Sequence, residues 1–433
     1  MLRIITQSAE INTELQRISD RPYRDEIQAK EVAVAEILER IKHQGDQGLF
    51  APFETLTTPT NLKVSGSDLD AAYQKISKEL LDAIQTISQK LESFYGQQLP
   101  KPWVKFEDDD VVIGKRYTPV QRAGIYVDWD QGSPISRVLM QTLPAKIAKV
   151  PEIILVSPPD ETGKVPPDIL VAAQVSGVNQ VYRLGGAQAI AALAYGTQTI
   201  PKVDVITGTG GLDVILAKRM VYGTVNSDTP VDASELFIIA DRTANPNQIA
   251  ADLLAQVEQD PSSAVVVLTT DLSLAKKIQS KVQEKLQDNV HGILSEKAIA
   301  HYGLIALVDS LEQAINLTNQ FGPHYLVLTL GEPWDVVEKI RSVGSLFIGQ
   351  MTPKAIGDYL GHGGVILPPS GLIRYASSVR VETFLKPSHL IEYSPTALKN
   401  LANVLEILAL AEGFPASADA INLRLREEDN DQR

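Results

Sequence analysis

The chain has 433 residues, of which 44% are hydrophobic and 21% charged, a composition typical of a globular protein with more than one domain. It has no cysteine, which excludes disulfides, thiolate metal sites and a cysteine nucleophile, and no apolar run approaches the roughly 18 residues of a membrane span. A formal net charge of −13 argues against nonspecific binding to nucleic acid or to an anionic membrane. We therefore expect a cytoplasmic protein that binds neither.

Two amphipathic helices are predicted in the first hundred residues. Apolar residues recur at helical spacing over 24–42 and again over 68–91, and Ser65 or Ser67 can cap the second helix. A strand follows over 111–127 with a break at Pro119. A helix is then predicted over 136–150, although Pro144 should limit or kink it.

Short apolar strands alternate with helices through most of the remaining chain. The predicted strands cover 153–156, 181–184, 203–206, 236–240, 264–268, 303–308 and 325–330. The predicted helices cover 168–175, 187–195, 212–221, 246–259, 272–286, 310–320 and 397–411. Such alternation with short turns predicts parallel sheets with helices on both faces, which is an α/β fold.

Two glycine turns connect predicted strands with predicted helices. They are Gly185-Gly186 and the run from Gly208 to Gly211. Glycine turns between parallel strands and helix N-termini point backbone N–H groups at an anion. Because no complete GxGxxG motif is present, a dinucleotide or phosphate site and a purely structural turn are both open.

Several sequence blocks carry a resemblance to a known family. They are RAGIYV at 122–127, LPAKIA at 143–148, GGAQAIAALAYGT at 185–197, AKRMVYG at 217–223 and GDYL at 357–360, together with ASELFIIAD, ADLLAQVEQDP, SGLIR and AEGF. With these blocks the chain closely resembles histidinol dehydrogenase over nearly its full length. The resemblance implies a zinc-containing, NAD-dependent enzyme that oxidises L-histidinol twice, through the aldehyde, to L-histidine. It also implies an intertwined homodimer.

The resemblance further implies two incomplete Rossmann-like domains, each a three-layer unit with a parallel sheet, and small helical extensions at both termini. We expect an N-terminal arm over 1–25 and a first, discontinuous Rossmann-like domain formed by 26–125 with 236–375. The second Rossmann-like domain is expected over 126–235. The helical segment 376–433 is expected to reach the dimer partner.

The family's acid and base are implied to be a Glu followed by a His, at positions that hold His324 and Tyr325 here. A tyrosine has an ordinary pKa of about 10 and is a poor base at neutral pH. His324 can serve as a base, or it can be a structural histidine.

The family's zinc ligands are implied to be a glutamine, two histidines and an aspartate. The corresponding residues are Gln256, Gln259, Asp358 and Ser417. Since no imidazole is left in this set, it suits Zn²⁺ poorly, and we expect no bound zinc.

The implied substrate positions are partly retained. Ser234 and Glu412 match the family, whereas Val365 stands where a histidine is expected, and His362 lies close to it in the sequence. An unknown small molecule is therefore the expected ligand.

The implied nicotinamide contacts are also mixed. Tyr126 and Gln188 match the family, but Gly211 replaces an asparagine. The family's loop of a proline and paired glycines after Tyr126 is replaced by Asp128-Trp129-Asp130. Because two carboxylates repel a diphosphate, we expect no NAD.

These substitutions leave three hypotheses. The first is a pseudoenzyme that keeps the fold and the dimer, has lost zinc- and NAD-dependent oxidation of histidinol, and has a binding or regulatory role. The second is an NAD-dependent dehydrogenase of changed substrate specificity. The third is a working histidinol dehydrogenase of histidine biosynthesis.

Overall fold

A computed structural model describes residues 2–20, 24–49, 62–129, 134–228, 234–259, 262–288, 292–360, 373 and 378–431. The chain divides into two units. The first consists of Met1–Gln98 with Val120–Phe384, and the second of Leu99–Pro119 with Leu385–Arg433.

The helices in the described ranges follow one another from the N-terminal region to the end of the chain. Helices α1 to α16 span Ser8–Ser19, Arg24–Gln44, Asp46–Leu49, Gly66–Tyr73, Lys78–Gly96, Ile135–Ile147, Pro167–Val175, Gly186–Tyr195, Leu212–Val221, Pro246–Gln259, Leu272–Asp288, Gly292–Tyr302, Leu311–Phe321, Ala355–Leu360, Pro395–Ala411 and Pro415–Asp431. None of these described helices is long and apolar enough to cross a membrane. The cytoplasmic location stays a prediction.

The strands form three sheets. Strands β1 to β14 span Arg3–Ile5, Trp103–Glu107, Val111–Pro119, Arg122–Val127, Glu152–Ser157, Gln180–Arg183, Val205–Thr209, Asn226–Ser227, Glu235–Ala240, Ala264–Thr269, Gly303–Leu307, Tyr325–Thr329, Ser345–Ile348 and Leu385–Glu392.

The first unit contains two fully parallel sheets. The six-stranded sheet has the order β1-β11-β10-β9-β12-β13, and the five-stranded sheet has the order β6-β5-β4-β7-β8. Strands β9 and β10 are buried at every residue, because continuous apolar runs suit a parallel sheet covered on both faces. The predicted α/β fold with parallel sheets is confirmed.

The second unit is built differently. Its three-stranded sheet has the order β14-β3-β2, and both strand pairs are antiparallel. Strands β2 and β14 were not predicted. Because β14 lies within 376–433, that segment is not helical throughout, contrary to the expectation. Both strands carry mostly exposed side chains and lack the apolar runs that revealed the buried strands.

Two helix predictions need correction. The single helix predicted over 68–91 is two helices, α4 and α5, because Ser77 starts a new helix by accepting a hydrogen bond from the Leu80 N–H. The predicted cap at Ser65 is present, in a reciprocal pair with Asp68. Pro144 lies inside α6, which ends three residues later at Ile147 and not at the predicted residue 150. The Met140 carbonyl, which would lack a partner four residues before the proline, accepts from the Tyr95 hydroxyl at 3.4 Å.

The grouping of segments also differs from the predicted one. Strand β1, from the predicted N-terminal arm, is an edge strand of the six-stranded sheet. Helix α2, predicted to belong with 236–375, packs against α8 and α9 of the five-stranded sheet. Its Val34 and Ile41 are buried in one cluster with Ile190 and Val214. Sequence order does not assign α2 to either parallel sheet, and only packing decides which sheet it covers.

Candidate functional site

The two family acid and base positions lie at the start of β12. His324 is buried with 1% of its surface exposed, beside Glu235 at the start of the neighbouring strand β9. Its Nδ1 contacts the Glu235 carboxylate and also accepts a hydrogen bond from the Glu235 backbone N–H at 3.1 Å. Its Nε2 is buried and has no hydrogen-bond partner among the described residues. The two contacts belong to different tautomers, because Nδ1 accepts from the N–H only when the proton is on Nε2. In the tautomer with the proton on Nδ1, the ring donates to the carboxylate and the lone pair of Nε2 can accept a proton.

Tyr325 takes no part in that pair. Its ring lies against Phe347, with 6.2 Å between ring centroids, and the Lys354 Nζ lies 4.7 Å from the Tyr325 ring centroid. Burial raises the pKa of Tyr325 far above its ordinary value. The phenol therefore stays protonated at neutral pH, which makes it a hydrogen-bond donor and not a base.

A buried lysine adjoins one of the family zinc positions. Lys354 is 1% exposed, and its Nζ lies 2.8 Å from Oδ1 and 3.1 Å from Oδ2 of Asp358. A second carboxyl, that of Asp252, accepts a hydrogen bond from the Lys354 backbone. Burial raises the pKa of Asp252 to about 6 and lowers the pKa of Lys354, while the neighbouring opposite charges oppose both shifts.

The remaining glutamine of the zinc set takes part in a hydroxyl cluster. Gln256 is fully buried, and its Nε2 donates to Ser234 Oγ at 2.5 Å and to Ser263 Oγ at 3.2 Å. Its Oε1 is buried without a partner among the described residues, so one amide oxygen is available. Ser234, a family substrate position, is thereby fixed next to the Glu235–His324 pair.

These positions do not fit a zinc ion. Both carboxylate oxygens of Asp358 contact an ammonium, and no group of three or more His, Asp or Glu in the described part of the chain could hold a metal. Ser417 is exposed in the second unit, as is Glu412, which ends α15. The Gln259 side chain and the whole of His362 and Val365 lie outside what the structure describes.

The family cofactor positions lie around the N-terminus of α8. The buried Tyr126 hydroxyl accepts from the Gly186 N–H at 3.0 Å and donates to Asp128 at 3.3 Å. The Ala187 N–H donates to the Asp213 carboxylate at 3.2 Å. Two N–H groups that could bind a diphosphate thus have partners within the protein. This end of the crevice does not fit a diphosphate.

The adjacent turn before α9 has more room. A Cβ on Gly211 would meet only Asp213 Oδ1 within 4 Å. Gln188 lies beside the first turn, since a Cβ on Gly186 would come 2.8 Å from its Oε1. Trp129, of the replaced loop, donates its indole N–H to the Pro158 carbonyl at 2.6 Å. Asp130 lies outside the described residues.

A buried ion pair holds the turn in place. Lys218 Nζ donates to the Gly208 carbonyl at 2.7 Å and pairs with Asp228, which accepts from the Gly208 N–H at 3.0 Å. Gly208 has a φ of 131°, and a Cβ there would lie 1.9 Å from the Tyr126 carbonyl oxygen. Only glycine allows β4 and β7 to pair at this point.

Sequence reasoning missed the charged residues that surround His324 and Asp358. Glu235, Asp252 and Lys354 were not predicted site residues. Lys354 and Asp358 stand four residues apart at the start of α14, a spacing that predicts a helical ion pair but not its burial.

Comparison with known proteins gives one consistent family. A sequence model of the histidinol dehydrogenase family matches residues 20–425. The chain is 51% identical over 433 residues to histidinol dehydrogenase 2 of Trichormus variabilis, covering 99% of this chain and 100% of that protein. It is 50% identical over 428 residues to histidinol dehydrogenase of a Synechococcus species, covering 98% and 99%. The crystal structure of histidinol dehydrogenase from Elizabethkingia anophelis superposes with a TM-score of 0.92 at 30% identity, covering 99% of both chains.

Proposed function

Because this chain belongs to the histidinol dehydrogenase family, we propose that it oxidises an amino alcohol of the histidinol type and that it does so without a zinc ion. The names of relatives that match it over nearly their whole length support the dehydrogenase activity. The ammonium that pairs with Asp358 supports the absence of zinc.

The observation that carries this proposal is the buried pair of His324 and Glu235. Oxidation of an alcohol to an aldehyde removes the hydroxyl proton and a hydride from the carbon. A neutral imidazole oriented by a carboxylate at Nδ1 can take the hydroxyl proton at Nε2. His324 is then the base, although it stands at the position of the family's glutamate.

Lys354 supplies positive charge at the same edge of the six-stranded sheet. As the hydroxyl proton leaves, negative charge develops on the alcohol oxygen, and a fixed ammonium stabilises it. Burial lowers the pKa of the Lys354 ammonium, and the charges of Asp358 and Asp252 oppose that shift.

The hydride acceptor that the family implies is NAD. Of the family positions, Gln188 and the turn that ends at Gly211 would hold it, since the α8 N-terminus is filled. When bound, the nicotinamide accepts the hydride. The described residues then have to orient the alcohol and move its proton.

The test is NADH formation by the purified chain with L-histidinol and NAD, before and after dialysis against a chelator. We expect NADH formation that the chelator does not lower. His324→Gln should lower kcat about 10²–10⁴-fold, because the ring nitrogen that accepts the proton is lost. His301→Gln, at an exposed histidine at the end of α12, is the matched control and should keep the original rate.

Two results would contradict the proposal. One is the absence of NADH formation with histidinol at any metal concentration. The other is activity that disappears with the chelator and returns with zinc.

A second candidate function is binding without oxidation, in a regulatory role. It is supported by the filled N-terminus of α8, where Tyr126 and Asp213 take the N–H groups that a diphosphate needs. Calorimetry separates the two candidates. Heat of binding for histidinol but none for NAD, with no turnover, favours the second candidate, whereas saturable NAD binding favours the first.

We also propose that the chain is a homodimer that uses its C-terminal helices. Exposed apolar side chains on α15 support this proposal, since large apolar patches on a helix mark an interaction surface. They are Leu401, Val404, Ile407, Leu408 and Leu410. Light scattering during size-exclusion chromatography measures the mass, and a monomer at micromolar concentration would contradict the proposal.

A further inference from the structure

The ion pair of Lys354 and Asp358 lies where the family resemblance implies a metal ligand. Lys354 precedes α14 and Asp358 lies one helical turn later, so both side chains project from the same face of that turn. The Nζ contacts both carboxylate oxygens, at 2.8 Å and 3.1 Å. The two oxygens with which Asp358 would bind a metal ion therefore already contact a cation.

The surroundings of the ammonium are those of a built cation site. The Tyr325 ring presents its face to Nζ at 4.7 Å from the centroid, which attracts a cation. The Asp252 carboxyl accepts from the backbone of Lys354 and lowers the electrostatic cost of the buried charge. Only 1% of Lys354 is exposed, so water cannot replace these partners.

A divalent ion cannot share this site with the ammonium. A protonated lysine has three donors and no lone pair, so it cannot serve as a ligand. A metal ion on Asp358 would lie within a few ångströms of a like charge in a buried region, where screening is weak. Gln256 could add at most one neutral amide oxygen, which is too few ligands for an ion to displace Lys354.

We propose that the Lys354 ammonium, by contacting both carboxylate oxygens of Asp358, takes the place of a metal ion there and excludes divalent metals from the site. The inference rests on the site assigned under the proposed function, but it concerns metal binding and not turnover. Its test therefore measures the amount of bound zinc and the rate of turnover separately.

The experiment measures zinc bound by the full chain, by elemental analysis after dialysis and by calorimetric titration. The unaltered chain should hold far less than one zinc per chain. Lys354→Met keeps the length and apolar contacts of the side chain but removes the charge, and it should raise zinc affinity about tenfold or more. Lys339→Met, at an exposed lysine, is the matched control and should leave zinc affinity unchanged.

Stoichiometric zinc in the unaltered chain overturns the inference, and so does a Lys354→Met variant that folds but binds zinc no more tightly. If that variant does not fold, the Tm of the unaltered chain is measured at increasing zinc concentrations, and this measurement alone decides. We expect no rise in Tm, and a rise that saturates at one ion per chain overturns the inference. Absence of both zinc and turnover contradicts the proposed function only, whereas bound zinc with metal-independent turnover contradicts this inference only.

Discussion

The substitution Lys218→Met tests how the turn before α9 is held. It leaves Asp228 buried, with 5% of its side chain exposed, and removes its cationic partner. It also removes the charged donor to the Gly208 carbonyl, a hydrogen bond worth about 1.5–3 kcal/mol. Because breaking one side of a buried ion pair costs about 3–5 kcal/mol, we expect the free energy of unfolding to fall by that amount. The methionine fills a similar volume, so cavity formation contributes little.

The measurement is a urea titration followed by circular dichroism, with the slope of the transition compared between variants. Arg219→Met is the matched control, because Arg219 is the next residue of α9 and its side chain is 54% exposed, with Glu31 at 3.7 Å. That variant should change the free energy of unfolding by no more than about 0.5 kcal/mol.

The double variant Lys218→Met/Asp228→Asn examines the reason for the loss. The asparagine oxygen still accepts from the Gly208 N–H but carries no charge, so the double variant should be at least about 2 kcal/mol more stable than Lys218→Met. Burial raises the pKa of Asp228 and Lys218 opposes that rise. Without Lys218 the folded-state pKa rises further, so the stability of Lys218→Met should fall as pH increases. A loss below about 1 kcal/mol, or a double variant as unstable as the single one, would refute this reasoning.

Three further predictions concern single residues. Burial raises the pKa of Asp252 to about 6 from an ordinary 3.8, so the folded state binds the proton more tightly and stability should fall by about 2 kcal/mol as pH rises from about 4 to 6. Asp252→Asn should remove that pH dependence from urea titrations, and an unchanged profile would contradict the assignment. Gly208→Ala should cost more than about 3 kcal/mol because its Cβ meets the Tyr126 carbonyl, whereas Gly223→Ala, with φ of 95° and open space, should cost about 1 kcal/mol in the same titration. Glu235→Gln should lower kcat for histidinol at least about tenfold with little change in KM for NAD, and equal kcat would mean that the carboxylate does not orient His324.

The comparisons change the balance among the three hypotheses drawn from the sequence. Identity of 51% with a protein named as a histidinol dehydrogenase favours the hypothesis of an active dehydrogenase over the hypothesis of lost activity. The comparisons do not alter the finding that several family positions carry other residues in this chain. These substitutions are the reason why the proposed function does without zinc and assigns the proton to His324 and the positive charge to Lys354.

Buried strands could be read from the sequence because their chemistry is local. The runs LFIIA and AVVVL are apolar at consecutive positions, which suits a strand covered on both faces, and they form most of β9 and β10. Strands β2 and β14 have no such pattern, since their stability comes from pairing with β3. The partner of β14 lies far away in the chain, whereas β2 pairs with the strand that follows it.

For the site, the sequence determined which residue types occupy the family positions, and therefore that imidazole is missing from the zinc set and that His324 replaces a glutamate. Only the tertiary structure decided which charges surround them. Glu235 and His324 are 89 residues apart in the chain and meet because β9 and β12 pair in register. Local spacing indicated that Lys354 and Asp358 could pair, but their burial depends on the packing of β12 and α14. Burial and distant pairing set the energy of a charge, and neither is encoded at the residue that carries it.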